Sequence, residues 1–351
     1  MRHISRDVLK SSPPILILSL ILVLILACAA PCLAAKPALY RDSRILMGTL
    51  FEVQVYDTNA ARAKGAIGAA LDEMARVDQL LSNYKPASEL SRMNREAAEA
   101  PFHASEELFN FVSACRQYYD DTQGTFDPTV GALVRAWGFF SRRPGVPTAE
   151  QIAAARLATG FDKVRIDQGE KTIRYTVAGL EMDPGGIGKG YAADRATEVL
   201  RRLGIRSALV NAGGSSINAI GHPPGQSAWR VAISNPANET KALALVELRD
   251  ISLSTSGVSR QSLRSGSHTY SHIFDPRTGE PVEGMCQVTV VTQNGSAAEA
   301  LSKAAFILSR EELAGVLRRY PGSHVLRLEG SCASNSVWVT PRSESVIRRS
   351  N

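Results

Sequence analysis

One glycine-rich segment of this chain combines a carboxylate with a lysine in a pattern that suits phosphate binding. Residues 182–191 contain Asp183, Gly186 and Lys189 directly before a predicted helix. Glycines let the backbone approach an anion, and a helix N-terminus with an ammonium group supplies positive potential. The segment lacks the Lys-Ser/Thr order of a P-loop and the context of a dinucleotide fingerprint. It indicates a phosphate site, with a tight strand-to-helix turn as the alternative.

Four further polar segments could supply catalytic or binding groups. Residues 271–279 place His272, Asp275 and Arg277 within six positions, and an imidazole titrates near neutral pH, as proton transfer requires. In residues 124–131 the aromatic Phe126 precedes the carboxylate of Asp127. This pair predicts either a surface against which a planar ring packs or the N-cap of a helix. Residues 211–216 and 254–257 are interpreted as further ligand loops or as simple turns.

The surrounding pattern predicts an α+β fold in one continuous unit. A strand over 44–56 precedes helices over 59–81 and 105–119, and two shorter helices follow Pro128 and Thr148. From Lys163 onward the predicted elements are mainly short strands. Two helices, over 188–203 and 296–308, interrupt them. The predicted strands are 163–167, 172–177, 207–211, 229–233, 242–248, 287–292 and 337–340, and the rest of 331–351 is left unassigned.

The N-terminus has the pattern of an export signal. Residues 1–35 run from basic residues through an apolar stretch, Ile15 to Ala30, to a series of small residues. The sequence Ile25-Leu26-Ala27-Cys28 resembles a lipoprotein processing box, so a lipid anchor on Cys28 is an alternative to simple cleavage. The catalytic domain is then expected over 40–345, in the periplasm or on the outer face of the cytoplasmic membrane.

The charge argues against a nucleic-acid-binding protein, and the cysteine content argues against a zinc site or a disulfide framework. The formal charge is +6, and the basic residues are scattered, so nucleic acid is not expected as a partner. Outside the signal segment the cysteines are Cys115, Cys286 and Cys332, widely spaced and without a CxxC motif. They predict packing cysteines with room for one bridge, and neither a zinc site nor a disulfide framework.

Taken in order, the motifs resemble those of one family, the FAD:protein FMN transferases of the ApbE type. The resemblance covers essentially all of residues 44–310. The segments that carry it are Met47-Gly48-Thr49, Leu81-Ser82-Asn83-Tyr84, Ser88-Glu89-Leu90, 124–131, Trp137-Gly138-Phe139, 183–194, 211–214, Thr255-Ser256-Gly257 and 271–279.

The resemblance implies an α+β enzyme that cleaves FAD with Mg²⁺. FMN would pass to a Thr or Ser hydroxyl of an exported acceptor protein, with release of AMP. His272 would be the base for the acceptor hydroxyl, with Asp275 also in the catalytic group. The residues expected to contact FAD are Met47, Tyr84, Thr125, Phe126, Asp127, Asp183, Lys189 and His272.

One helix departs from the family pattern at the implied metal site. The family carries Ala-Asp-Ala-x-x-Thr, whose Asp and Thr bind Mg²⁺ with a backbone carbonyl, here near Gly186. This chain has Glu299 in place of Asp and Lys303 in place of Thr. Glu is one methylene longer than Asp, and a protonated lysine has no lone pair to offer. The alternatives are a transferase with an altered metal site, a catalytically impaired FAD-binding carrier, and an FAD pyrophosphatase that yields FMN and AMP.

Overall fold

The computed structural model describes residues 35–140, 145–258, 262–265 and 268–349. The predicted signal segment and Cys28 therefore lie outside the described residues, except for Ala35. All the elements below belong to the compact unit Pro37–Asn351. Among the described residues, the helices fall short of the length and apolar character needed to cross a bilayer.

The described part of the chain begins with a β-hairpin. Strands β1 (Ala38–Leu46) and β2 (Thr49–Asp57) pair antiparallel, with Leu46 opposite Thr49. Met47 and Gly48 form the turn with φ of 49° and 74°, a left-handed conformation that glycine adopts without steric cost. The prediction of one strand over 44–56 was therefore wrong, because the alternating pattern continues on both sides of a tight turn.

An eight-stranded antiparallel sheet forms the centre of the fold, in the order β1-β2-β6-β7-β10-β13-β14-β15. Strand β13 is buried at every position, because helices cover one face of the sheet and a smaller sheet covers the other. The bounds are β6 (Ala208–Ala212), β7 (Ser216–Ile220), β10 (Ser252–Gly257), β13 (Met285–Thr292), β14 (His324–Gly330) and β15 (Asn335–Val339).

Three helices pack on one face of this sheet: α1 (Ala60–Leu81), α6 (Gly188–Arg202) and α7 (Gly295–Ile307). The Asn59 side chain caps α1 by accepting from the backbone N–H of Arg62 at 3.0 Å. Helices α6 and α7 cross at two glycines, since a Cβ on Gly190 would lie 2.3 Å from the carbonyl oxygen of Gly295. This close approach brings the N-terminal halves of α6 and α7 together.

The remaining elements flank the central sheet. The smaller sheet β16-β9-β8 packs on its second face, a three-stranded sheet β3-β5-β4 lies beside α3, and β11 pairs with β12. The helices are α2 (Glu89–Glu96), α3 (Glu106–Asp121), α4 (Gly131–Ala136), α5 (Ala149–Leu157) and α8 (Arg310–Leu317), with 3-10 turns at Phe161–Lys163 and Pro184–Gly186. The strands are β3 (Phe102–His103), β4 (Val164–Asp167), β5 (Thr172–Tyr175), β8 (Trp229–Asn235), β9 (Asn238–Leu248), β11 (Ser262–Ser265), β12 (His268–Ser271) and β16 (Ile347–Arg349).

The α+β prediction is confirmed, and the predicted helices and short strands are present within a few residues. Strand β10 was not predicted, because its sequence Ser-Leu-Ser-Thr-Ser-Gly has the composition of a turn. Its serines are buried, and the Ser256 hydroxyl is hydrogen-bonded to the Ser302 hydroxyl on α7 at 2.8 Å. The elements without a clear sequence signal also include β7, β14, α2 and α8.

The cysteines of the described ranges form one bridge. Cys286 on β13 is joined to Cys332, which follows β14, and the two Cα atoms are 5.1 Å apart. Cys115 is free and buried in α3. The sequence left the pairing open, because residues 46 positions apart meet only once β13 and β14 pair.

Candidate active site

The predicted phosphate loop and the segment 124–131 are held against each other. The N–H of Asp183 donates to the carbonyl of Pro128 at 2.6 Å, and the N–H of Gly131 donates to the carbonyl of Glu181 at 3.1 Å. The Asp183 carboxylate in turn accepts from the N–H of Gly185 at 2.7 Å. These bonds fix the 3-10 turn that leads into the N-terminus of α6.

Asn94, a residue without a sequence signal, holds the start of the same loop. Its amide oxygen accepts from the N–H of Met182 at 2.9 Å, and its amide nitrogen donates to the Met182 carbonyl at 2.9 Å. The buried Tyr175 hydroxyl donates to the same oxygen at 2.9 Å. Because α2 and β5 supply these groups, only the tertiary structure reveals their role.

A buried carboxylate lies beneath the loop. Glu299 on α7 is 1% exposed; its Oε1 accepts from the Ser216 hydroxyl and lies 3.6 Å from Nζ of Lys189. Its Oε2 has no hydrogen-bond partner among the described residues. Burial would raise the pKa of Glu299, but the ammonium groups of Lys189 and Lys303 outweigh this and the pKa is lowered. Glu299 is therefore held as an anion.

Lys303 lies one turn further along α7 and reaches the glycine-rich loop. A Cβ on Gly186 would be 3.7 Å from Cε of Lys303 and 3.7 Å from the ring of Phe126. The ammonium lies 3.5 Å from the Ser302 hydroxyl, which is bonded to Ser256 of β10 at 2.8 Å. Loss of hydration lowers the pKa of Lys303 to about 8, against the opposing effect of Glu299.

A carboxylate on α6 fixes the start of α7. Asp194 accepts from the N–H groups of Gly295 and Ser296, at 2.6 and 2.8 Å, and from the Ser296 hydroxyl at 2.6 Å. A negative charge at a helix N-terminus is favourable. Asp194 therefore sets the position of α7, and with it the positions of Glu299 and Lys303.

The implied metal ligands are brought together, but their chemistry does not fit Mg²⁺. Gly186, Glu299 and Lys303 lie at one place, as the resemblance implies. Glu299 is the one carboxylate among these three residues, and the ammonium groups of Lys189 and Lys303 act on it. Within the described ranges, the chain has no cluster of three His, Cys, Asp or Glu side chains that could hold a metal ion. Mg²⁺ needs near-octahedral oxygen ligands, so these side chains make a poor site for it.

A flat aromatic surface lies near the phosphate loop. Tyr84, 69% exposed, stacks on Phe140 with ring centroids 4.7 Å apart and planes 5° from parallel. The Arg135 guanidinium lies 4.0 Å from the Phe140 centroid and forms an ion pair with Glu181, which immediately precedes the loop. This surface suits a planar heteroaromatic ring.

Three predicted FAD contacts in the segment 124–131, Thr125, Phe126 and Asp127, are buried. The Thr125 hydroxyl donates to the carbonyl of Thr122 at 2.7 Å, and Phe126 is 2% exposed. Asp127 accepts from the N–H and hydroxyl of Thr129, at 2.8 and 2.7 Å, and burial raises its pKa to about 6. These contacts show that Asp127 caps the local turn. Direct contact of Thr125, Phe126 and Asp127 with FAD stays a prediction.

Two predicted site regions lie at the ends of strands. Met47 forms the turn of the first hairpin, and the N–H of Gly213 donates to the carbonyl of Leu50 at 3.0 Å, so residues 47–50 and 211–214 are adjacent. His272 follows β12 and is half-buried. Its loop is anchored by the Trp137 indole N–H, which donates to the carbonyl of Gly279 at 3.3 Å.

Asp275 organises the turn that follows His272. Its carboxylate accepts from the backbone N–H of Arg277 at 2.9 Å and from the Arg277 guanidinium at 2.7 Å. The pKa of Arg277 is raised by this hydrogen bond. The contacts give Asp275 a structural role, and the catalytic roles of Asp275 and His272 stay predictions.

Comparisons with known proteins agree with this architecture. The ApbE family model matches residues 47–326, and the chain belongs to the ApbE family. The FAD:protein FMN transferase of Salmonella typhimurium is 32% identical over 89% of this chain and 91% of its own length. The enzyme of the same name from Escherichia coli K12 is 30% identical over 86% of this chain and 87% of its own.

Solved structures show the same fold. The ApbE protein of Thermotoga maritima superposes with a TM-score of 0.80 at 26% identity, over 89% of this chain and all of that one. The flavin transferase ApbE of Vibrio cholerae gives a TM-score of 0.78 at 28% identity, over 88% of this chain and 99% of that one.

Proposed function

We propose that this protein is an FAD:protein FMN transferase, which moves FMN from FAD to a Thr or Ser hydroxyl of an exported acceptor protein. The observation that carries the proposal is the assembly of Asp183, Gly186 and Lys189 at the N-terminus of α6, directly above Glu299. Relatives that the chain matches over most of their length bear this name.

The chemistry is a displacement at phosphorus. The acceptor hydroxyl oxygen bonds to the phosphorus of the FMN half, the bond from that phosphorus to the bridging oxygen breaks, and AMP leaves with that oxygen. The hydroxyl proton passes to a base, for which His272 is the candidate. Such a reaction needs charge stabilisation at the phosphates, and Lys189 with the N–H groups of the α6 N-terminus supports that role.

The Mg²⁺ implied by the resemblance is the one feature that the side chains of this site do not support. Glu299 is its single carboxylate at the implied position, and Lys189 and Lys303 already lie around it. The proposed displacement therefore involves no metal ion.

The cellular location and the domain bounds form part of the proposal. The basic and apolar pattern of the N-terminus supports export of the protein, with processing within residues 1–35. The catalytic domain then spans residues 40–345. The Cys286–Cys332 bridge is also typical of an oxidising compartment. A lipid on Cys28 would hold the enzyme at the outer face of the cytoplasmic membrane.

The test is transfer to a protein acceptor. The mature chain is incubated with FAD and an exported FMN-acceptor domain, and covalent flavin is followed by in-gel fluorescence and intact mass. We expect a fluorescent acceptor and release of AMP, and His272→Ala should abolish both. FAD retained without transfer would favour the carrier alternative, and FMN with AMP formed without acceptor would favour the pyrophosphatase.

A further inference from the structure

Lys303 is a half-buried cation without an ion pair in the described part of the chain. Glu299 Oε1 is occupied by the Ser216 hydroxyl and by Lys189, whose Nζ is 3.6 Å away. The hydrogen-bond partner of Lys303 is the Ser302 hydroxyl, at the long distance of 3.5 Å. Its ammonium therefore keeps most of its hydrogen-bonding capacity for a ligand.

The carboxylates near Lys303 already have other partners. Glu299 forms an ion pair with Lys189 at 3.6 Å, and the charges of Lys189 and Lys303 both lower its pKa. The Asp194 carboxylate is already bonded to Gly295, Ser296 and Asn218 at 2.6 to 2.8 Å. Asp183 interacts electrostatically with Lys189 and is held by the N–H of Gly185. A cation removed from water without a directly bonded counter-charge is costly, so the position of Lys303 favours a bound anion.

The position of Lys303 matches the place where that anion would lie. Its side chain passes Gly186, the residue at the turn into the α6 N-terminus, and Lys189 approaches from the first turn of α6. Lys303 and Lys189 thus both lie close to the turn that leads into the α6 N-terminus. A diphosphate is an anion, and ammonium groups with a helix N-terminus are the groups that bind such an anion.

We propose that the ammonium group of Lys303 supplies, from within the chain, the positive charge at the FAD diphosphate for which the family resemblance implies a metal ion. FMN transfer by this protein then proceeds without a divalent cation. The inference rests on the proposed transferase function. It assigns to Lys303 a direct contact with substrate phosphate oxygens, as a point charge that stabilises the leaving AMP.

The test combines transfer with two binding measurements that do not depend on activity. Transfer is measured in EDTA and in MgCl₂; FAD affinity is measured in EDTA by flavin fluorescence; and MgCl₂ alone is titrated into the protein in a calorimeter. The variants are Lys303→Met, which keeps the volume without charge, and Lys303→Arg, which keeps the charge.

We expect the wild-type transfer rate to change less than about twofold between EDTA and MgCl₂, and the titration of MgCl₂ alone to give no binding heat. Lys303→Met should lower the transfer rate about 100-fold and FAD affinity about tenfold, without rescue by MgCl₂, whereas Lys303→Arg should retain both. A wild-type rate that collapses in EDTA, together with measured Mg²⁺ binding, would overturn the inference.

The FAD measurement separates this inference from the proposed function. If no condition gives transfer, the transferase assignment fails, and FAD affinity in EDTA still decides the role of Lys303. A tenfold weaker affinity in Lys303→Met, with Lys303→Arg like wild type, supports the diphosphate contact. Equal affinity in all three proteins contradicts it.

Discussion

The Ser216 hydroxyl donates a hydrogen bond to Oε1 of Glu299, and this bond joins β7 to α7 beneath the glycine-rich loop. Both residues are buried and they lie 83 positions apart in the chain. The bond, together with the nearby Lys189, keeps Glu299 charged inside the protein. It also fixes the helix from which Lys303 extends toward the site.

Ser216→Ala should destabilise the protein. Removal of the hydroxyl leaves a buried carboxylate oxygen short of a donor, and we expect the free energy of unfolding to fall by about 1–3 kcal/mol. Urea unfolding at pH 7 measures the change. Ser215→Ala, one position earlier and outside this bond, is the control and should alter the stability by less than about 0.5 kcal/mol. Equal losses in the two variants would contradict the importance of the bond.

The double variant Glu299→Asp with Lys303→Thr should acquire a response to Mg²⁺. The exchange removes the ammonium and restores two oxygen ligands next to Gly186, so MgCl₂ should raise its transfer rate by about tenfold or more. The rate is measured with and without MgCl₂. Glu299→Asp alone keeps Lys303 and should stay insensitive. If the transfer rate of the double variant does not change with MgCl₂, residues other than 299 and 303 disfavour the metal.

Asp127 should make the protein less stable as the pH rises toward neutrality. Its pKa is raised by burial from an ordinary 3.8 to about 6, so folding favours the protonated form, and this contribution is lost as the pH rises through 6. Between pH 4.5 and 7.5 the free energy of unfolding of the wild type should fall by about 2 kcal/mol more than that of Asp127→Asn. In this variant the amide oxygen can still accept from Thr129. Urea unfolding at both pH values tests this, and parallel pH profiles would refute it.

Loss of the Cys286–Cys332 bridge should destabilise the β13–β14 region. The bridge closes a loop of 46 positions, and its removal in Cys286→Ser with Cys332→Ser should lower the free energy of unfolding by about 2–4 kcal/mol. Thermal unfolding with and without reductant measures the effect. Cys115→Ala leaves the bridge intact and should keep the wild-type sensitivity to reductant. A double variant as stable as the oxidised wild type would be the contrary result.

Tyr84→Ala should weaken FAD binding about tenfold, because it removes one ring of the stacked surface beside the phosphate loop. Tyr84→Phe keeps the ring and should bind FAD as the wild type does. Flavin fluorescence titration compares the three proteins. If alanine and phenylalanine behave alike, the flavin or adenine ring does not rest on Tyr84.

The sequence by itself determined the elements whose signal is local. Helix α1 shows apolar residues at helical spacing behind its Asn59 cap, and the helix predicted at the end of the glycine-rich segment is present as α6. The order of short motifs was sufficient to identify the family, because each motif is contiguous in the chain. The substitutions at 299 and 303 were also visible without a structure.

The tertiary structure decided which of these residues meet and what their contacts do. The buried serines of β10 depend on pairing with the distant strands β7 and β13, which composition does not encode. Lys189, Ser216 and Glu299 come from three separate elements, so their charges act on one another only after α6, β7 and α7 have packed. The energy of a buried charge is set by the groups within a few ångströms in space, and sequence spacing does not specify those groups.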